Sequence, residues 1–132
     1  MKNTIFKILE YSYYFSLLIL FVLYLFPGSL IGYLLYGNLG QQPNLISNPI
    51  GTSINHLIFF SYLSFIGSIV RLKTKSLFNS FTFLLSISII LELLHLIIPN
   101  RAFEFYDLFA NSAGVVIVFL LFILIKKIRQ NK

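Results

Sequence analysis

The chain has 132 residues, 58% of them hydrophobic and 11% charged, with a net charge of +6, no cysteine and a mean hydropathy of +0.87. A soluble domain needs roughly 25% charged residues to wet its surface, so the composition excludes an ordinary water-soluble fold and selects the membrane class. The missing cysteines exclude a disulfide framework, a thiolate metal site and a Cys nucleophile, and the basic residues flank apolar runs instead of forming a groove-binding patch, which excludes nucleic acid as a partner.

Lys2 and Lys7 precede an apolar run over residues 15–26 of leader-peptide length. Glu10, the lack of a small-residue cleavage site and the resumption of apolar residues after Pro27-Gly28 predict a retained first helix. The apolar runs predict an all-α, polytopic membrane bundle of about four helices in a single domain over residues 1–132. Residues 11–35 form span one, with a kink or break at Pro27-Gly28. Residues 54–70 form span two, 77–98 span three and 108–125 span four. A helix pairs its amides within one segment, as lipid demands. The runs are continuous, which speaks against alternating barrel strands.

Orientation follows from the basic residues. Lys2 and Lys7 precede span one, Arg71, Lys73 and Lys75 join spans two and three, and Lys126, Lys127, Arg129 and Lys132 follow span four. Nine of the ten Lys and Arg thus share one side, leaving Arg101 on the other. Short loops rich in Lys and Arg stay cytoplasmic, so both ends are expected inside. The first outer loop, residues 36–53, is uncharged and contains Gly37, Gly40, Pro43 and Asn44 as turn formers. Tyr33 and Tyr36 suit the membrane interface. Ser64-x-x-x-Ser68 and Ala110-x-x-x-Gly114 are small-residue pairs that let helices approach closely.

This topology gathers nearly all the remaining ionisable groups at the outer end. His56 starts span two, Glu92 and His95 end span three, Arg101 lies in the second outer loop, and Asp107 and Asn111 open span four. Glu92 and His95 are i, i+3 neighbours on one helix face, while Asp107, Asn111 and Gly114 share another. Asp107 suits a helix N-cap, and Arg101 suits a loop pairing with Glu104 or Asp107. Glu92 lies about 10 Å below Pro99 by helical rise, inside the hydrocarbon layer. An ionised carboxylate there costs a few kcal/mol unless it is paired or wetted, so it is expected to pair with Arg101 or a histidine. His56, Glu92, His95, Arg101, Asp107 and Asn111 form the candidate binding set, with Glu92, His95 and Asp107 the candidate catalytic groups. No metal site and no cofactor are assigned.

Glu92-Leu93-Leu94-His95, Pro99-Asn100-Arg101 and Asp107-Leu108-Phe109-Ala110-Asn111-Ser112-Ala113-Gly114 resemble, in register, the Glu-x-x-Gln, Pro-Gly-Arg and Asp-Leu-x-Ala-Asn-x-x-Gly pattern of the VanZ-like family. Asn55-His56-Leu57-Ile58-Phe59-Phe60 is similar to its upstream His-Phe signature. The resemblance covers residues 50–125. His95 stands for the usual Gln, Asn100 for Gly, and Thr52-Ser53 for a frequent Asp-Lys pair, so a mechanism needing that pair cannot operate here. The resemblance implies a multi-pass protein of the bacterial inner membrane and cell envelope. The family is named for an accessory glycopeptide-resistance protein, but resistance does not follow from the name.

Three functions compete. The first is binding of a lipid head group, a lipid-linked envelope precursor or a membrane protein partner at the outer face, aided by Phe103, Phe105 and Tyr106. The second is a membrane-embedded enzyme on a lipid-linked substrate, with Glu92 or His95 as general base and Arg101 on phosphate. In that alternative His56, Glu92, His95 and Asp107 also suit Zn or Mn. The third is a small transporter subunit, disfavoured because transporter sites lie near the midplane.

Overall fold

The computed structural model describes residues 2–43, 51–71 and 77–131, with side chains left out at 2, 3, 51, 52, 77 and 78. Lys73, Lys75, Asn44 and Lys132 therefore lie outside the described residues, as does the side chain of Thr52. The described residues form five helices and no strand: α1 (Lys2–Leu25), α2 (Leu30–Tyr36), α3 (Gly51–Arg71), α4 (Leu77–Leu94) and α5 (Phe105–Gln130). Three stretches, Thr4–Leu25, Ser53–Arg71 and Phe105–Gln130, are long and apolar enough to cross a membrane, and Asn79–Leu94 is a shorter apolar helix. The chain is a helical membrane protein.

The first expected span, 11–35, is not one helix. It begins at Lys2 and stops at Leu25, and α2 is separate. Pro27 has no N–H to continue the ladder and its ring crowds the preceding turn. Gly28 then turns the chain at φ +87, and Ser29 restarts a helix by accepting the Gly32 N–H on its hydroxyl at 2.9 Å. The loop after α2 folds back: the Ser29 N–H donates to the Leu39 carbonyl at 2.7 Å. A methyl at Gly32 would collide with the Gln41 carbonyl oxygen.

The third expected span, 77–98, also shortens. α4 ends at Leu94, and His95, Leu96 and Ile97 close tighter turns, each N–H bonding three residues back at 3.0–3.1 Å. Pro99 explains this, because the residue before a proline avoids the α conformation. Asn100 sits at φ +57, the left-handed region that Gly and Asn adopt most readily. The fourth expected span, 108–125, corresponds to α5, which begins three residues earlier at Phe105 and runs to Gln130.

The long helices alternate in direction. Tyr24 near the end of α1 meets His56 near the start of α3, and Tyr14 meets Arg71 at the other end. Phe65 of α3 meets Phe122 of α5, and Phe81 of α4 stacks on Phe119 at 4.0 Å. The core consists of Tyr13, Leu17, Leu20, Tyr24, Phe60, Leu63, Ile66, Leu84, Leu91 and Val115. α3 and α5 share the most extensive packing among the described helices, and small residues lie in it. A Cβ on Gly114 would stand 2.6 Å from the Leu57 carbonyl oxygen, and the Ser64 hydroxyl donates to the Val115 carbonyl at 3.3 Å.

Candidate functional site

Pro27 ends α1 without the N–H groups that its last carbonyls would otherwise find four residues on. Two candidate residues fill the gap. Arg101 donates to the Leu23 carbonyl at 2.5 Å and to the Phe26 carbonyl at 3.3 Å. His95 Nε2 lies 3.3 Å from the Tyr24 carbonyl, where it serves as donor. The cation of Arg101 also suits the negative end of the α1 dipole. Arg101 therefore does not pair with Glu92, Glu104 or Asp107, as the sequence suggested: helix-end carbonyls hold its guanidinium instead. Burial lowers the Arg101 pKa from its ordinary value, but a guanidinium remains charged.

Glu92 is fully buried in the last turn of α4. One oxygen, Oε1, accepts the Glu104 backbone N–H at 3.2 Å and lies 3.4 Å from His95 Nδ1. The other accepts Asn111 Nδ2 at 3.3 Å. The expected histidine partner is thus His95, its i, i+3 neighbour. Both ring nitrogens of His95 thus face oxygen atoms, Nδ1 the Glu92 carboxylate and Nε2 the Tyr24 carbonyl.

Asp107 is not the cap of α5. Glu104 occupies the N-cap, with no side-chain cap bond, and Asp107 sits in the first turn. Its carboxylate accepts the Ser53 hydroxyl at 2.5 Å and lies 3.5 Å from His56 Nε2. At the centre stands Tyr24. Its hydroxyl donates to Asn111 Oδ1 at 2.8 Å and lies 2.6 Å from His56 Nδ1. Its ring stacks on His95 with centroids 5.3 Å apart. Since the Tyr24 proton goes to Asn111, His56 Nδ1 is the donor to the Tyr24 oxygen, and Nε2 is left facing Asp107.

The structure therefore joins His56, Glu92, His95, Asp107 and Asn111 in one network and puts Arg101 at its edge. Tyr24 is absent from the set expected from the sequence, and Ser53 figures there only as a departure from a motif. Tyr24 carried a signal: a phenol inside an apolar run needs a partner for its hydroxyl. Ser53 carried none beyond a hydroxyl near a helix start.

Beside the network lies a cavity of about 150 Å³. Tyr24, Ser29, Asn55, His56, His95 and Arg101 supply its polar wall, and Leu20, Leu23, Leu30, Ile31 and Phe59 its apolar wall. Gln42 and Pro43, from the folded-back loop, also line it. Asn55 Nδ2 donates to the Pro43 carbonyl at 2.7 Å, while its buried Oδ1 lacks a partner among the described residues.

Glu104 lies outside the membrane-spanning helix it precedes. Partial burial, then the nearby Asp107 and Glu92 carboxylates, raises its pKa above the ordinary carboxylate value. Phe105, Tyr106 and Phe109 stand three-quarters exposed on the same rim. Comparison with family models, curated proteins and solved structures gives no match.

Proposed function

We propose that this chain is a VanZ-like protein of the bacterial inner membrane that binds an anionic lipid head group, or the phosphate end of a lipid-linked envelope precursor, at the outer face. In this reading it crosses the membrane four times with both ends in the cytoplasm. α4, though short, spans together with the turns that follow it.

The observation carrying the reading is the two-sided cavity. Its polar wall holds a guanidinium, two imidazoles and the Asn55 amide, whose oxygen has no partner among the described residues, and its apolar wall opposes them. A phosphate on an acyl or prenyl chain has the same two halves. The charge pattern supports the orientation. Lys7, Arg71, Lys126, Lys127 and Arg129 belong to the bundle end opposite the cavity, and the exposed Phe105, Tyr106 and Phe109 suit an interfacial belt. Glu92 does not reach the cavity wall, which favours binding over a reaction with Glu92 as base.

The test is binding of phosphatidylglycerol to purified protein in detergent, against phosphatidylcholine as the neutral control. Replacing Arg101 removes a charge-assisted contact, so Arg101→Ala is expected to weaken phosphatidylglycerol binding about tenfold. Because Arg101 also holds the end of α1, Ile31→Trp provides a second variant that fills the cavity without touching those carbonyls. Equal affinity for wild type and both variants overturns the reading.

A further inference from the structure

The geometry points to a divalent-cation site of the zinc or manganese class formed by His56, Glu92 and Asp107, just inside the cavity wall. One ligating atom from each residue lies within 4.8 Å of the others. Two donors held tetrahedrally about 2.1 Å from one ion lie about 3.4 Å apart. The 3.5 Å between His56 Nε2 and Asp107 Oδ2 already has that spacing, and Glu92 needs only a small side-chain adjustment to join them.

The network around these atoms is that of ligands oriented from behind. His56 Nδ1 is engaged by the Tyr24 hydroxyl, 2.6 Å away, which turns Nε2 and its lone pair toward Asp107. The Ser53 hydroxyl occupies Asp107 Oδ1 and leaves Oδ2 on the His56 side. Asn111 and the Glu104 N–H each take one lone pair of Glu92, whose carboxylate retains others. Metal ligands are held by such partners, which fix tautomer and rotamer. The lone pair of Nε2 and the oxygen of Asp107 face each other, so something positive must lie between them. A proton answers for those two atoms alone, whereas a divalent cation also answers for the third group converging on them. Imidazole with carboxylates suits zinc and manganese, and thiolate is excluded by a chain without cysteine.

His95 stays outside the set. Its Nε2 is engaged by the Tyr24 carbonyl and its Nδ1 faces Glu92. The inference does not rest on lipid binding, because the three ligands lie on α3, α4 and α5 and belong to the packing of the bundle itself.

The test uses the full chain in detergent, stripped with a chelator and titrated with Co2+ as a spectroscopic probe and with Zn2+. Wild type is expected to bind one equivalent of each, with a cobalt visible spectrum typical of nitrogen and oxygen ligands and a Zn2+-dependent rise in Tm. His56→Ala is expected to abolish the cobalt spectrum and the rise in Tm. Ser53→Ala, which leaves all three ligands in place, is expected to weaken Zn2+ at least tenfold. If His56→Ala does not fold, X-ray absorption on zinc-loaded wild type decides, with one imidazole among oxygen ligands expected. Lack of saturable binding by wild type, retention of the cobalt spectrum in folded His56→Ala, or a zinc shell without imidazole overturns the site. Phosphatidylglycerol binding, measured separately, leaves each of these outcomes unchanged.

Discussion

The two ends of the bundle differ in kind. The basic end holds the larger cavity, about 340 Å³, lined by Tyr13, Tyr14, Arg71, Asn79, Ser80 and Phe83. The opposite end holds about 150 Å³ but joins Tyr24, Ser53, His56, Glu92, His95, Asp107 and Asn111 through direct contacts. At the basic end Lys126, Lys127 and Arg129 are exposed and keep their solvation. At the polar end the Glu92 and Asp107 carboxylates are buried and lie against protein donors. Volume is a poor guide to a site here; the desolvated charge, which costs energy unless its partners are in place, is the better one.

The largest contrast is expected at Glu92. Glu92→Ala strands His95 Nδ1, Asn111 Nδ2 and the Glu104 N–H, and loss of one member of a buried pair costs about 3–5 kcal/mol. Denaturation in mixed micelles is expected to reveal that loss, while Lys127→Ala leaves the curve in place. Similar curves for the two variants would erase the distinction between the ends.

A smaller effect is expected from removing one hydroxyl at each end. Tyr24→Phe deprives His56 and Asn111 of their shared partner and is expected to destabilise by about 1–3 kcal/mol. Tyr14→Phe removes a half-exposed hydroxyl that accepts from Arg71 at 3.3 Å, and a change within about 0.5 kcal/mol is expected from the same unfolding measurement.

The smallest effect sharpens the rim of the site. The folded-state pKa of Glu104 is raised, so its contribution is present at acid pH, where the group is protonated in both states, and is lost as pH rises through the folded pKa. Glu104→Gln keeps the backbone N–H that Glu92 uses. It is expected to match wild type at acid pH and to be slightly more stable at neutral pH. Tm measured from acid to neutral pH checks this, and parallel profiles would refute it.

Much of the fold was legible in the chain. Apolar runs marked α1, α3, α4 and α5, and the small-residue pairs pointed to close helix packing without saying which helices meet; the structure puts Gly114 of α5 against Leu57 and Ser61 of α3. The helix ends were less legible. Pro27 signals a kink or break, but the apolar run continues to residue 35 and hides the separate α2, and Pro99 acts on the turns before it, shortening α4.

The site divides in the same way. Chain order and helix direction brought His56, Glu92, His95, Asp107 and Asn111 to one level, because a bundle of alternating helices puts such positions at the same end whatever their rotation. Rotation and local breaks decided who binds whom. The sequence alone fixed a helical membrane protein with polar residues gathered at one end and basic ones at the other, since burial in lipid depends on composition and run length. Only the tertiary structure sent Arg101 to the carbonyls freed by Pro27, took Asp107 from the cap to Ser53 and His56, and set Tyr24 at the centre. Hydrogen bonds between helices are short and directional, and no periodicity along a single strand of sequence encodes the angle at which two helices meet.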